Sequence, residues 1–249
     1  MRQDDIALAI MCKAPADGSC KTRLCPPLSA GEAAGLSRCF IADVVAVIDA
    51  VSPRSGVAVY TPADARAAFD DLLPASFRML AQRGADLSQR LLHATEDLLS
   101  WGFRGVCLIN SDSPTLPAAV LRAAMAALSQ PGNRIVLGPA IDGGYYLIGL
   151  KQLEPALFQD ISWSTSHVLA ETLTRAAGLA PVEMLPLWYD VDDAGTLQLL
   201  LQELFGAGNP LSGVGLVSGT AAHSRSYLRS LLRENEARCR LGRSRNLTL

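Results

Sequence analysis

Four short stretches of this chain gather residues able to handle phosphate, metal and hydroxyl groups. The first is Gly18-Ser-Cys-Lys21-Thr22-Arg23-Leu-Cys25, which follows the apolar run from Ile6 to Cys12 and precedes a capped helix. Gly18 lets the backbone turn tightly, and successive amides there can form an anion-binding nest. Lys21 adds a compact charge and Arg23 a planar fork that matches two oxygens. A nucleotide phosphate is the ligand such a loop favours; a solvated surface turn is the alternative.

The second stretch, Leu108-Ile-Asn110-Ser-Asp112-Ser-Pro114, places an acid where a buried strand ends, and in open α/β sheets the carboxyl ends of strands face the ligand crevice. One carboxylate completed by water and substrate phosphates is a usual way to hold Mg²⁺, so Asp112 is a metal candidate, with turn capping before Pro114 as the alternative. In the third, Trp188-Tyr-Asp190-Val-Asp192-Asp193, three carboxylates crowd together. Such density repels unless a cation or a helix N-terminus relieves it. In extended backbone Asp190 and Asp192 point to one side, which suits a shared metal, whereas Asp193 reads as the cap of the following helix. The fourth, Asp142-Gly143-Gly144-Tyr145-Tyr146, joins two apolar runs. It is either a plain hairpin turn or a place where a sugar-like ligand approaches the backbone, with Asp142 accepting hydroxyl hydrogen bonds.

Positioning these stretches is the task of an alternating pattern of short apolar runs and longer helical-period segments. That pattern predicts a single three-layer α/β/α domain with a mostly parallel sheet. Strands are expected near 6–12, 56–60, 77–81, 105–110, 134–137, 145–150 and 182–185. The first helix opens with the capping box Ser29-Ala-Gly-Glu32, a second at Asp86 with Gln89, and a third near Thr115 with Pro117 in its first turn. Further helices are expected over 166–177 and after Asp193. Asp70 and Asp71 fall in a polar helical stretch and read as solvated. Beyond Phe205 small residues dominate, so the body is read as residues 1–205, and 206–249 as a Gly-rich connection with a basic tail or docked helix. From His223 onward, seven Arg face two Glu, a net +5 that is local to the tail.

The 249 residues are 49% hydrophobic and 18% charged, enough apolar material for a large core, and the formal charge of -2 offers no overall field for nucleic acid. Six cysteines form no C-x-x-C pair, and His93, His167 and His223 lack ligand spacing, which argues against a zinc site. No secretory signal or membrane-spanning stretch is evident, and a reduced, cytoplasmic setting is expected. There is no G-x-G-x-x-G after the first strand, no Walker lysine pattern and no G-x-S-x-G elbow.

Taken in order, these stretches resemble the DUF2064 family of bacterial glycosyltransferase-A-like proteins, whose fold is that of nucleotide-diphospho-sugar transferases. The resemblance covers most of residues 6–200. It rests on Lys13-Ala-Pro15 with Gly18 and Lys21-Thr-Arg-Leu24, on Gln82-Arg-Gly84 with Asp86-Leu87 and Arg90, and on Asn110-Ser-Asp112-Ser-Pro114. It continues through Gly138-Pro139, Asp142-Gly-Gly-Tyr-Tyr146, Ile161-Ser-Trp163-Ser-Thr165 and Asp190-Val-Asp192. Related molybdopterin and 2-phospholactate guanylyltransferases use the first loop on the triphosphate, the acid after the central strand on Mg²⁺, and a late acid to complete the metal site. The resemblance implies these roles for Lys21 with Arg23, for Asp112 and for Asp192. It also implies nucleotide contacts from Lys13, Gly18, Thr22, Gln82, Asp86 and Arg90, and substrate contacts from Asp142, Gly143, Gly144, Tyr145 and Trp163. Two positions depart from the family pattern: Ser88 replaces a common Gly, and Asp192-Asp193-Ala-Gly replaces Asp-Thr-Pro-Glu.

The expectation is therefore a Mg²⁺- or Mn²⁺-dependent transferase that uses a nucleotide sugar and a small-molecule acceptor. Nucleotidyl transfer to a phosphorylated small molecule, with release of pyrophosphate, is the alternative, and a non-catalytic nucleotide-binding module is a third.

Overall fold

The computed structural model describes residues 5–18, 20–206, 208, 211 and 215–234. Seven strands, β1 (Ile6–Lys13), β2 (Gly56–Thr61), β3 (Arg78–Ala81), β4 (Gly105–Asn110), β5 (Ile135–Pro139), β6 (Tyr145–Leu150) and β7 (Val182–Met184), form one sheet in the order β3-β2-β1-β4-β6-β5-β7. Only β6 runs against its neighbours, pairing antiparallel with β4 and β5; the other pairings are parallel. The helices are α1 (Ala30–Val51), α2 (Leu87–Ser100), α3 (Ala118–Ser129), α4 (Val168–Ala176), α5 (Ala194–Phe205) and α6 (Ala222–Arg233).

Strand side chains alternate between faces, and here both faces are covered, so the central strands read as nearly unbroken apolar runs. Ile6, Leu8 and Ile10 point into a core shared with α1, α3, α5 and α6, while Ala7 and Ala9 point into a second core built with Leu91, Ala94 and Leu98 of α2 and Ala176 of α4. The helix starts follow their caps. Ser29 and Glu32 close the capping box on α1, Asp86 accepts from the Gln89 amide at 2.9 Å, and Asp193 accepts from the Thr196 amide at 2.9 Å. Pro117 stands at the N-cap of α3 rather than inside its first turn. The stretch around Asp70 forms a single 3-10 turn, Arg66–Phe69, instead of a helix, and the exposed Asp71 carboxylate pairs with Arg38.

The C-terminal helix shares the first core through Leu228, Leu231 and Leu232. Its N-terminus is capped from across the molecule: Asp43, in the middle of α1, accepts from the amides of His223 and Ser224, each at 2.9 Å, and from the Ser224 hydroxyl at 2.5 Å. Burial pushes the Asp43 carboxyl above the ordinary carboxylate range, although these hydrogen bonds pull it back. Tyr227 lies where Gly35 leaves room: a Cβ on Gly35 would meet the Tyr227 hydroxyl at 2.4 Å. The basic tail beyond residue 234, with Cys239, lies outside the described residues.

Asp43→Ala leaves buried donors on α6 without an acceptor and is expected to lower unfolding free energy by about 2 kcal/mol. Urea melts of the variant against Ser224→Ala, which removes one of the three donors, check this.

Candidate functional site

Parallel strands β1 and β4 lie side by side, so the loops leaving their carboxyl ends emerge together. The loop after β1 carries Lys21, whose backbone is left-handed at φ 51, a conformation uncommon for a residue with a Cβ. The loop after β4 carries Asp112. The third contribution arrives from the far edge: beyond β7 the chain runs along the end of β5, with the Trp188 amide donating to the Pro139 carbonyl and the Ile141 amide to the Trp188 carbonyl, each at 3.0 Å. It is then tied to the β4 loop by the Val191 amide, which donates to the Asp112 carbonyl at 2.8 Å.

At this meeting point the Lys21 ammonium donates to the Val191 carbonyl at 2.8 Å and lies 2.7 Å from Asp192 Oδ1 and 2.8 Å from Asp112 Oδ1. Its side chain is only 8% exposed, and the Phe40 ring of α1 lies 5.7 Å away. Burial pulls the Lys21 pKa down, but the two carboxylates outweigh it and hold the amine above its ordinary value. Arg23 grips the other oxygen of Asp192 at 2.8 Å and keeps a largely exposed guanidinium. One ammonium and one guanidinium therefore hold two carboxylates from distant segments in a fixed arrangement.

Two hollows meet at this cluster. The first, of about 250 Å³, is lined by Lys13, Lys21, Thr22, Arg23, Asp112 and Asp192, together with Cys20, Ser37 and Ser111. The second, of about 390 Å³, includes Met11, Leu87, Leu91, Tyr145, Trp163, Gly144, Asp142 and Asp190, and shares Arg23 and Asp192 with the first. Its turn is a true hairpin between β5 and β6: Gly143 has φ 90, and the Gly144 amide donates to Asp142 at 2.8 Å. Asp190 and Asp192 face the same hollow, with Val191 fully buried between them. Burial, then the charges of Asp192, Asp142 and Asp112, push the Asp190 carboxyl up to about 7.

Three of the residues implied as nucleotide contacts make hydrogen bonds within the chain. The Gln82 side-chain amide donates to the carbonyls of Val59 at 2.8 Å and Cys12 at 3.3 Å, Asp86 caps α2, and Arg90 donates to the Gly84 carbonyl at 3.2 Å. None of the three lines either hollow, nor do Gly18 and Gly143. Gly143 instead packs on the 161–168 loop, since a Cβ there would stand 2.3 Å from the Ser166 carbonyl oxygen. Sequence reading missed Ser37 and Ser111 in the first hollow and Met11, Leu87 and Leu91 in the second. Ser37 carried a signal, as a polar residue inside the apolar stripe of α1.

The topology and this crevice at the strand ends define the fold of the nucleotide-diphospho-sugar transferases. A crystal structure from Desulfovibrio desulfuricans G20, provisionally described as a nucleotide-diphospho-sugar transferase, is 27% identical, with a TM-score of 0.78 over 94% of this chain and 97% of that one. A cytidylyltransferase from Leptospira borgpetersenii serovar Hardjo-bovis shares the fold at 11% identity, with a TM-score of 0.52 over 95% of this chain and 97% of that one. The model of the DUF2064 family, described as an uncharacterized protein conserved in bacteria, matches residues 45–165, so the family resemblance seen in the motifs holds over that stretch. No curated protein sequence matches the chain. Among the described residues, no helix is long and apolar enough to cross a membrane.

The Asp190 shift has a sign in stability. Its carboxyl binds a proton more tightly in the folded state, so folding stability falls as pH climbs from about 4 to about 7. Asp190→Asn removes that loss. In chelator-containing buffer the variant is expected to match the parent at pH 4 and exceed it by about 1 to 3 kcal/mol at pH 8, read by urea unfolding at both values.

Proposed function

We propose that this chain is a nucleotide-dependent transferase that handles a nucleotide sugar, the phosphates in the first hollow and the transferred or accepting group in the second. The observation that carries this reading is the Lys21 ammonium within 2.8 Å of both Asp112 and Asp192 at the border of the two hollows. Groups that can share one cation at that distance, both hard oxygen donors, fit Mg²⁺ or Mn²⁺. Among the described residues no cluster of three or more His, Cys, Asp or Glu is gathered for a metal, so phosphate and water oxygens would have to complete the shell. When bound, such an ion would polarise the phosphate oxygens and offset their charge.

The residues of the chain supply the rest. Lys13, Lys21 and Arg23 line the first hollow beside Asp112 and Asp192, and Arg23 keeps a largely exposed guanidinium suited to phosphate oxygens. Lys21 and Arg23 would offset charge that develops on the departing group. Asp142 and Asp190 can accept hydrogen bonds from hydroxyls in the second hollow. No protein nucleophile is required if an acceptor oxygen attacks directly, and holding the two reactants together does most of the work. The same cationic loop is suited to a triphosphate, which supports nucleotidyl transfer with release of pyrophosphate as the second reading.

Incubation with Mg²⁺, a panel of nucleoside triphosphates or nucleotide sugars, and a panel of sugar phosphates and polyols as acceptors separates the readings: transfer of the nucleotidyl group releases pyrophosphate and transfer of the sugar releases a nucleoside diphosphate. Asp112→Asn is expected to lower the rate by about 100-fold or more, and, because it also removes a partner of the buried Lys21, its rate is read at a temperature where circular dichroism shows the variant folded. Neither product from any pair, or a variant as active as the parent, overturns the reading.

A further inference from the structure

The second hollow is walled from two sides that the fold builds separately. Helix α2 supplies Leu87 and Leu91, while β6 and the loop ahead of α4 supply Tyr145 and Trp163. That loop is braced from its own side. The Ser162 amide and hydroxyl donate to Glu171 at 2.7 and 3.0 Å, and the Thr165 hydroxyl donates to the Ser162 carbonyl at 2.7 Å. A hydrogen bond crosses to α2: the Trp163 indole Nε1 donates to the Ser88 hydroxyl at 2.7 Å.

Ser88 is not needed to start α2. Asp86 already accepts from the Gln89 amide, and the Gln89 side chain accepts from the Ala85 amide at 3.0 Å. The Ser88 hydroxyl is thus free to serve the indole, which also meets the Tyr145 ring edge-on at 6.2 Å and 77°. An aromatic wall fixed at both its N–H and its ring loses little freedom when a ligand arrives. The other lining groups set the charge. Asp142, Asp190 and Asp192 line it with one cation, Arg23; Arg23 and the neighbouring Lys21 are both already paired with Asp192, so no unpaired cation is left among the described lining residues to hold an anion. An anionic body would be repelled there, whereas an uncharged ring can lay its C–H surface on apolar walls and donate hydroxyls to the carboxylates.

We propose that Ser88 is a positioning residue of the second hollow, fixing Trp163 as a wall against which a neutral, hydroxyl-rich ring of the sugar class is held. The identity of the ring rests on the transferase reading above; the Ser88–Trp163 link does not.

The test compares the parent with Ser88→Ala, Ser88→Thr and Trp163→Phe, taking the Trp163 emission as the difference between each Trp-containing protein and the Phe variant. Ser88→Ala is expected to raise acrylamide quenching of that emission and Ser88→Thr to restore the parent value. With saturating nucleoside triphosphate and Mg²⁺, methyl α-glucoside or methyl α-mannoside is expected to perturb the Trp163 emission, about fivefold more weakly in Ser88→Ala. The thermal shift caused by the nucleotide should be the same in all four proteins. Unchanged quenching in Ser88→Ala overturns the positioning role, and glycosides that leave the Trp163 emission unaltered overturn the ligand class. A parent that binds no nucleotide overturns the transferase reading instead, while the quenching comparison still decides the role of Ser88.

Discussion

One buried ammonium organises this molecule. Lys21 is drawn out of water between Asp112 and Asp192, and its desolvation is offset only because both carboxylates and the Val191 carbonyl close around it. The contacts span some of the longest sequence separations in the chain, 170 residues to Val191 and 171 to Asp192. Three loops far apart in sequence are thereby joined through one side chain, on a residue whose backbone is left-handed.

The sheet makes that convergence possible. Parallel pairing of β1 with β4 puts two of the loops at the same edge, and the reversed β6 lets the β5–β6 hairpin return to the same end with Asp142. The chain beyond β7 then follows β5 back toward the centre, carrying Asp190 and Asp192. Burial, and beyond it the charges of Asp192, Asp142 and Asp112, disfavour the ionised form of Asp190 in the folded state. Groups left in such an unfavourable electrostatic position are a common mark of a site shaped for binding or chemistry.

Much of this was legible in the sequence because it was local. The capping box at Ser29, the caps at Asp86 and Asp193, the hairpin at Asp142-Gly-Gly and the apolar strands depend on neighbours a few residues away. The common facing of Asp190 and Asp192 followed from the two-residue period of extended backbone. What could not be read was long-range pairing. The family resemblance gathers Lys21, Asp112 and Asp192 into one site, but no local pattern shows that the lysine itself pairs with the two acids. The backbone carbonyls that Gln82 and Arg90 meet are likewise invisible to local pattern. Asp43 did leave a trace, as an acid inside the apolar stripe of α1, but its partners lie 180 and 181 residues away. Ser88 stood out as a departure from a family pattern, and only the fold shows that its hydroxyl meets Trp163.

The embedded lysine also changes what an incoming ion encounters. A counter-charge tethered by the backbone is present at a high local concentration, so dissolved salt competes poorly for the two acids. Any free cation that engages both must enter as a rival of the chain itself, and the amine it displaces then has strong reason to seek another anion close by.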